Sequence, residues 1–382
     1  MLWQEKEVLE VENKFKKFMI NNIVPIFMII IIALSIPISG LSINYIIQEI
    51  ILRLSRNLFL VLSLLIPIIA GMGLNFGIVL GAMAGQIALI FITDWQVVGL
   101  QGLFLGMIVS LPLGALMGLI GGVVLNKAKG KEMITSMILG FFINGVYQLV
   151  VLYGMGKIIP ISDTSILLSR GYGIRNAIDL KNIRRALDDA IVLHIGDFSI
   201  PILTIIAIVL FCLFIVWFRK TKLGQDMRAI GQDIEVSRAA GISADKTRII
   251  AIVISTMLAA IGQIIFLQNI GTMNTYNSHE QIGMFSIAAL LIGGATVSKA
   301  TIPNALSGVI LFHAMFILAP RAGKELIGSA QIGEYFRVFI SYGIIALVLI
   351  MHQWRREKEK AEERRRILES EGIKKGDDKW WK

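Results

Sequence analysis

The chain of 382 residues is 55% hydrophobic and only 17% charged, with a mean hydropathy of +0.72 and a formal net charge of +10. That balance excludes an ordinary soluble domain and reads as a polytopic membrane protein. A single cysteine, Cys212, excludes a disulfide framework within the chain, and four scattered histidines without ligand spacing give no metal site.

In chain order, ten apolar segments stand out: 21–38, 57–74, 75–93, 98–125, 132–155, 200–218, 249–271, 282–297, 300–319 and 336–353. Segments of this kind are read as spans because roughly 20 apolar helical residues cross a bilayer. The first, within "NNIVPIFMIIIIALSIPISG" (21–40), is too long for a signal peptide and lacks a convincing cleavage site. The second and third abut at Asn75 and are read as pieces of broken helices. The expected fold is all-α: an integral membrane protein with about ten transmembrane helices, broken or re-entrant ones included. Its expected parts are an N-terminal segment (1–20), a transmembrane domain (21–353) and a charged tail (354–382) that reads as a solvated helix.

Charge sets the expected orientation. With the N-terminus inside and the spans alternating, 26 of the 37 lysines and arginines fall on the inner side, and none lies within a proposed span. The excess places both termini in the cytoplasm. The basic residues sit between apolar runs without interleaved aromatics, so membrane topology explains the net charge and no nucleic-acid partner is expected. Two connections are long. Residues 157–199, with 6 basic and 5 acidic residues, lie outside, and "IRRALDDAIVLHI" within them is expected to form a short amphipathic helix. Residues 219–248 lie inside.

Small and polar residues mark the spans. In "GMGLNFGIVLGAMAG", Gly73, Gly77, Gly81 and Gly85 recur every fourth position, and Gly114, Gly118 and Gly122 repeat the spacing. Such stripes let helices approach closely in lipid, where small residues replace a hydrophobic driving force. The polar residues inside apolar segments are Asn75, Gln86, Asn144, Gln148, Gln263 and Asn304. Each is either an interhelical hydrogen bond or part of a polar path. Asn75 either caps a broken helix or touches solute. The candidate path is Asn75, Phe76, Gln86, Asn144, Gln148 and Asn304, with Phe141, Phe142 and Tyr147 also available for stacking. None of the amides carries charge, which favours a neutral or zwitterionic polar solute.

The inner connection holds "MRAIGQDIEVSRAAGISADKTRIIA" (227–251). Between Gly231 and Gly241 the composition is helical, with Asp233 and Glu235 toward the N-terminal end and Arg238 near the C-terminal end, as the helix dipole favours. Gly241 is placed as a C-terminal stop, and Ser243 or Asp245 as a cap of the next span. So short a helix is not stable alone in water and needs a docking partner.

This run resembles the cytoplasmic coupling loop of ABC importer permeases, in the group of branched-chain amino acid, ribose-type sugar and nucleoside permeases. Of that group's form G-(Q/x)-N-P-x-A-A-x-x-A-G-I, the chain keeps Gly231, Gln232, Ala240, Gly241 and Ile242. It has Asp233 and Ile234 in place of Asn and Pro, and Val236 and Ser237 in place of Ala. The stretches 73–91, 130–153 and 284–312 are also similar to the group's segments near the pore. The resemblance implies a permease subunit in the plasma membrane of a prokaryote, making and breaking no covalent bond. It implies a separate ABC ATPase docked on Gly231, Gln232, Asp233, Glu235, Arg238, Ala240 and Gly241, an extracellular or periplasmic solute-binding protein, a second permease subunit and surrounding lipid. The chain itself has no phosphate-binding P-loop motif and no expected cofactor. A nucleoside or sugar is the favoured solute and a branched-chain amino acid the next. A secondary transporter or channel is the alternative, but it calls for an ionisable residue within a span, and only Asp94 and Glu132 stand at span edges. An intramembrane enzyme would need an acid–base set that His313 and Ser307 do not form.

Overall fold

The computed structural model describes residues 22–329, 331–339, 342–347, 350 and 354. The expectations for residues 1–20 and, Trp354 apart, for the tail lie outside the described residues. The described chain is helical in its bulk, as a membrane requires of a segment that must satisfy its own backbone. Five helical stretches are long and apolar enough to cross a bilayer: Ile43–Ile69, Gly99–Lys127, Glu132–Gly154, Ala244–Ile270 and Ile302–Leu326. A sixth counts if Ile202–Phe218 and Lys222–Gln232 are one span, but these are bent by 71°. The ten apolar segments therefore do not become ten full-length spans among the described residues. Two of them are the shorter helices α1 (Ile23–Ser39) and α4 (Ile78–Asp94).

α2 (Ile43–Ser63) begins well before the apolar run at 57, so Arg53 and Arg56 lie within the stretch Ile43–Ile69. This corrects the expectation that no basic residue sits inside a span. The arginines are tolerated there because each has polar or aromatic company. Arg53 pairs with Glu49 at 3.1 Å, and Arg56 donates to Asn269 and lies over the Phe266 ring.

α10 (Ala244–Ile270) is the hub, packed between α4 and α5 (Gly99–Lys127) and against α2. The glycine stripes explain how. A Cβ at Gly81 would overlap the Thr256 carbonyl oxygen, and one at Gly85 would lie 2.6 Å from the Ala260 oxygen. From α5, Gly114, Gly118 and Gly122 press on Met257, Val253 and Ile249 of the same helix, with a Cβ at Gly118 only 2.8 Å from the Val253 Cα. The stripes on α4 and α5 are thus close-packing surfaces. Gly293 and Gly308 do the same where α11 (Ser278–Ile292) crosses α12 (Ile302–Ile327).

The remaining elements close the two ends. At one end the 157–199 connection makes turns and short strands, not the expected amphipathic helix. β1 (Ala177–Asp179) pairs antiparallel with β4 (Thr272–Asn274), and β2 (Val192–Ile195) with β3 (Phe198–Pro201). Residues 181–190, which include the first part of "IRRALDDAIVLHI", form turns around Asp188. That buried carboxylate accepts from Thr204, Gln268 and Asn269 at 2.7–2.9 Å, which fixes the connection to α7 (Ile202–Phe218) and α10 instead of leaving it a free surface helix. At the other end lie α8 (Lys222–Gln232), α9 (Ile234–Ala239) and the connection from α5 to α6 (Glu132–Leu149).

A candidate solute cavity and its coupling hairpin

The chain breaks helix between α3 (Leu65–Ile69) and α4, where Gly71 and Gly73 take φ values of +70° and +71°. Only glycine holds that conformation without strain. Irregular backbone at membrane depth needs internal partners. Asn75 supplies one: its Oδ1 accepts from the Gly77 N–H at 2.9 Å, just ahead of α4. The Phe76 N–H donates to the Ser136 hydroxyl of α6 at 3.1 Å. The Asn75 bond closes a local turn ahead of α4, whose N-cap position is Gly77 without a side-chain bond of its own. Asn75 is buried, and its Nδ2 finds no partner among the described residues.

The break delivers Phe76 to a cavity of about 360 Å³ between α4, α6 and α11. Phe76 and Val79, Met137 and Phe141, and Met284 make its walls apolar, while Asn144 and Glu280 are polar groups facing it. The size is that of pockets for small organic molecules, and a mainly apolar wall with few fixed polar groups is their usual make-up.

Behind the wall lies a buried polar network. His279, fully buried at the head of α11, places Nδ1 2.8 Å from Gln86 Oε1 and Nε2 2.8 Å from Asn144 Oδ1. Tyr147 bonds through its hydroxyl to Gln86 and to the Thr275 carbonyl at 3.0–3.1 Å. Asn144 Nδ2 donates to Glu280, and Gln148 donates to Asn144 Oδ1 at 3.4 Å. Gln86 Nε2 has no partner as placed. Amide orientation is assigned from the network. Turning the Gln86 amide lets Nε2 donate to His279 Nδ1 and to the Tyr147 oxygen. Tyr147 then donates to Thr275, His279 Nε2–H donates to Asn144, and every ring and hydroxyl proton has an acceptor.

The network gathers three of the six candidate path residues, Gln86, Asn144 and Gln148, and the cavity adds Phe76. Asn75 lies at the break behind Phe76. Asn304 does not belong with them: it forms a capping box with Thr301 at the start of α12 and donates to the Gly293 carbonyl at 2.7 Å. Tyr147 is buried in the network and presents no free ring, and Phe142 faces away from the cavity lining. Sequence reasoning missed His279 and Glu280. They stand just ahead of the apolar run at 282, outside the expected spans, and the Glu280 carboxylate gives the cavity a charged group that the uncharged amides did not suggest. The available signal was an ionisable pair directly preceding a span.

The second feature is the hairpin α8–α9. Asp233 closes α8 and caps α9, its Oδ1 accepting from Glu235 N at 2.8 Å and Val236 N at 3.0 Å. Aspartate thus serves where the resemblance has asparagine. Gly241 at φ +82° ends α9 in a Schellman motif, with Gly241 N donating to Arg238 O and Ile242 N to Ser237 O. The expected cap of the next span is absent: Ser243 holds the position without a side-chain bond, and Asp245 pairs with Lys129 at 2.7 Å and with Arg238. Glu235 pairs with Arg238 at 3.0 Å. Ala240 and Gln232 are exposed, and Gly231 packs backbone to backbone on Gly71, where a Cβ would come within 2.7 Å. A buried ion pair between Arg248 and Glu132 then ties α10 to the start of α6.

A helical membrane protein of this build holds an aromatic and amide-lined cavity in its bundle and a doubly capped helical turn at one end. Residues 46–349 match the family described as the branched-chain amino acid transport system permease component, and the chain belongs to that family. It is 29% identical to the nucleoside ABC transporter permease protein NupB of Lactococcus lactis over 198 residues, 49% of each chain. It is 24% identical to the high-affinity branched-chain amino acid transport system permease protein LivH of Escherichia coli over 164 residues, 41% of this chain and 49% of that one. It is 23% identical to the galactose/methyl galactoside import permease protein MglC of Haemophilus influenzae over 253 residues, 65% and 66%. The chain spans about half the length of most of these relatives. No solved structure matches it.

Proposed function

We propose that this chain is the translocation subunit of an ATP-driven importer in the plasma membrane of a prokaryote, carrying a small polar solute and hydrolysing no ATP itself. The observation that carries the reading is α9. A six-residue helix capped at both ends, with Val236 65% exposed, is held ready for a partner it does not have among the described residues. A separate ATPase docking on residues 231–241 fits that surface. Gly231, seated on Gly71, would pass its motion to the broken segment that carries Phe76. The strand-bearing end would receive a solute-binding protein. A second permease subunit would cover the apolar face of α6, where Ile134, Ile138 and Phe142 are exposed. The 360 Å³ cavity suits a nucleoside or sugar, with Phe76 and Phe141 for the flat face and Glu280 accepting from hydroxyls. A branched-chain amino acid is the next choice.

The test is uptake by the purified complex in proteoliposomes of labelled uridine, galactose and leucine, with and without ATP. ATP-dependent uptake of the first or second supports the reading. One observation favours a second reading, a secondary transporter: His279 and Glu280 are ionisable groups inside the bundle. Uptake by the chain alone, driven by an ion gradient without ATP, would select it.

A further inference from the structure

A second cavity, of about 420 Å³, opens at the coupling-hairpin end of the bundle. Its floor is Ile68 and Ile69 at the end of α3. Its sides are Arg219 at the bend between α7 and α8, Arg228 and Gly231 on α8, and Lys299 on the connection between α11 and α12. Among the described residues, no carboxylate lies within 4.0 Å of Arg219, Arg228 or Lys299, and none of these three side chains makes a hydrogen bond. Nearby cations at the same end are treated differently: Lys129 and Arg238 share Asp245, and Arg248 holds Glu132.

Three cations drawn around one cavity, with no counter-charge among the described residues, repel one another, and an anion between them reverses the sign of that interaction. Guanidinium groups present paired donors that match phosphate oxygens, and an ammonium adds a point charge. The isoleucine floor beside the cations gives the cavity an apolar half, as the boundary between a lipid headgroup and its acyl chains requires. We propose that this cavity binds a phosphate-bearing anion, with Arg219, Arg228 and Lys299 as its ligands. The bound anion bridges α8 to the 298–301 connection and so holds the coupling hairpin against the start of α12. Basic pockets at helix ends recognise lipid headgroups by this chemistry.

The test is thermal unfolding of the purified full chain in phosphatidylcholine vesicles, in mixed phosphatidylcholine–phosphatidylglycerol vesicles, and in phosphatidylcholine vesicles with inorganic phosphate or pyrophosphate. Phosphatidylglycerol is expected to raise Tm by several degrees, and the triple variant Arg219→Gln, Arg228→Gln, Lys299→Gln to lose that rise. The charge-keeping variant Arg219→Lys, Arg228→Lys, Lys299→Arg, which guards against a mere folding defect, is expected to retain at least part of it. A rise with free phosphate or pyrophosphate but not with phosphatidylglycerol keeps the anion site and assigns it a soluble ligand. Equal responses of wild type and triple variant in every arm overturn the proposal. So does a rise that depends on the three cations but occurs only when an ATPase subunit is added, because the counter-charge is then an acidic protein surface. Neither readout depends on transport.

Discussion

At the residue scale, the cavity turns on two side chains that sequence reasoning passed over. Among the described residues, Glu280 is the one carboxylate facing the apolar walls, and Asn144 donates to it. Hydrogen bonds to a charged group contribute about 1.5–3 kcal/mol. Glu280→Gln keeps the shape and removes the charge, so solute affinity in an uptake assay is expected to fall roughly 10- to 100-fold, while membrane insertion is unchanged. An unaltered affinity would remove Glu280 from the solute contact. His279 has a different task. Its two ring nitrogens hold Gln86 and Asn144, and His279→Ala leaves both amides short of a buried partner, at about 1–3 kcal/mol for each group stranded. A lowered Tm in detergent checks this, and an unchanged Tm contradicts it. Neither residue was picked out from the sequence, because a hydropathy reading starts the span at the first long apolar run and leaves the polar head of α11 outside. The amides were legible, since Gln86, Asn144 and Gln148 interrupt apolar runs. Asn304 interrupts one as well, yet it caps a helix. Polarity within a span does not by itself separate a path from a cap.

At the scale of elements, the glycine stripes were read correctly as close-packing surfaces, but as one stripe too long. Gly81 and Gly85 lie on α4 against α10, whereas Gly73 and Gly77 belong to the broken segment before it. Periodicity alone does not reveal where a helix stops. Gly118→Leu forces a side chain into the Val253 backbone, and overpacking of this kind costs about 1–3 kcal/mol. Thermal unfolding of the variant is expected to come earlier, and an unchanged Tm would contradict the packing. Of the hairpin, α9 and its stop at Gly241 were legible, because caps are local, whereas α8 was not, since Gly224 and Gly231 read as breaks and lie inside that helix. Asp233→Ala removes the bonds to two backbone N–H groups at a cost of about 0.5–2 kcal/mol, and Asp233→Asn keeps them. Hydrogen exchange at the Glu235 and Val236 amides is expected to speed up in the first variant and to stay near wild type in the second. The β1–β4 pairing was not legible, since its strands are three residues each and meet across 93 positions of sequence, from 179 to 272.

At the scale of the molecule, the contact of Gly71 with Gly231 links the break that carries Phe76 to the hairpin α8–α9. That contact predicts separable effects. Gly71→Val, whose side chain would strike the Gly231 Cα, is expected to abolish uptake while the chain still captures its ATPase, because residues 231–241 are unchanged. Loss of capture together with uptake would show that the contact only supports the hairpin. Membrane character was plain from composition. The number of spans was not, because the break at 70–77 and the 71° bend after Phe218 interrupt helices within the apolar runs. The central claim is that α9 receives an ATP-hydrolysing partner. The most direct measurement is a photo-crosslinker placed at Val236 in native membranes, with the product identified by mass spectrometry. The account predicts a crosslink to an ATPase subunit carrying a phosphate-binding loop. A chain that crosslinks to no such subunit, and moves solute in vesicles without ATP, would contradict it.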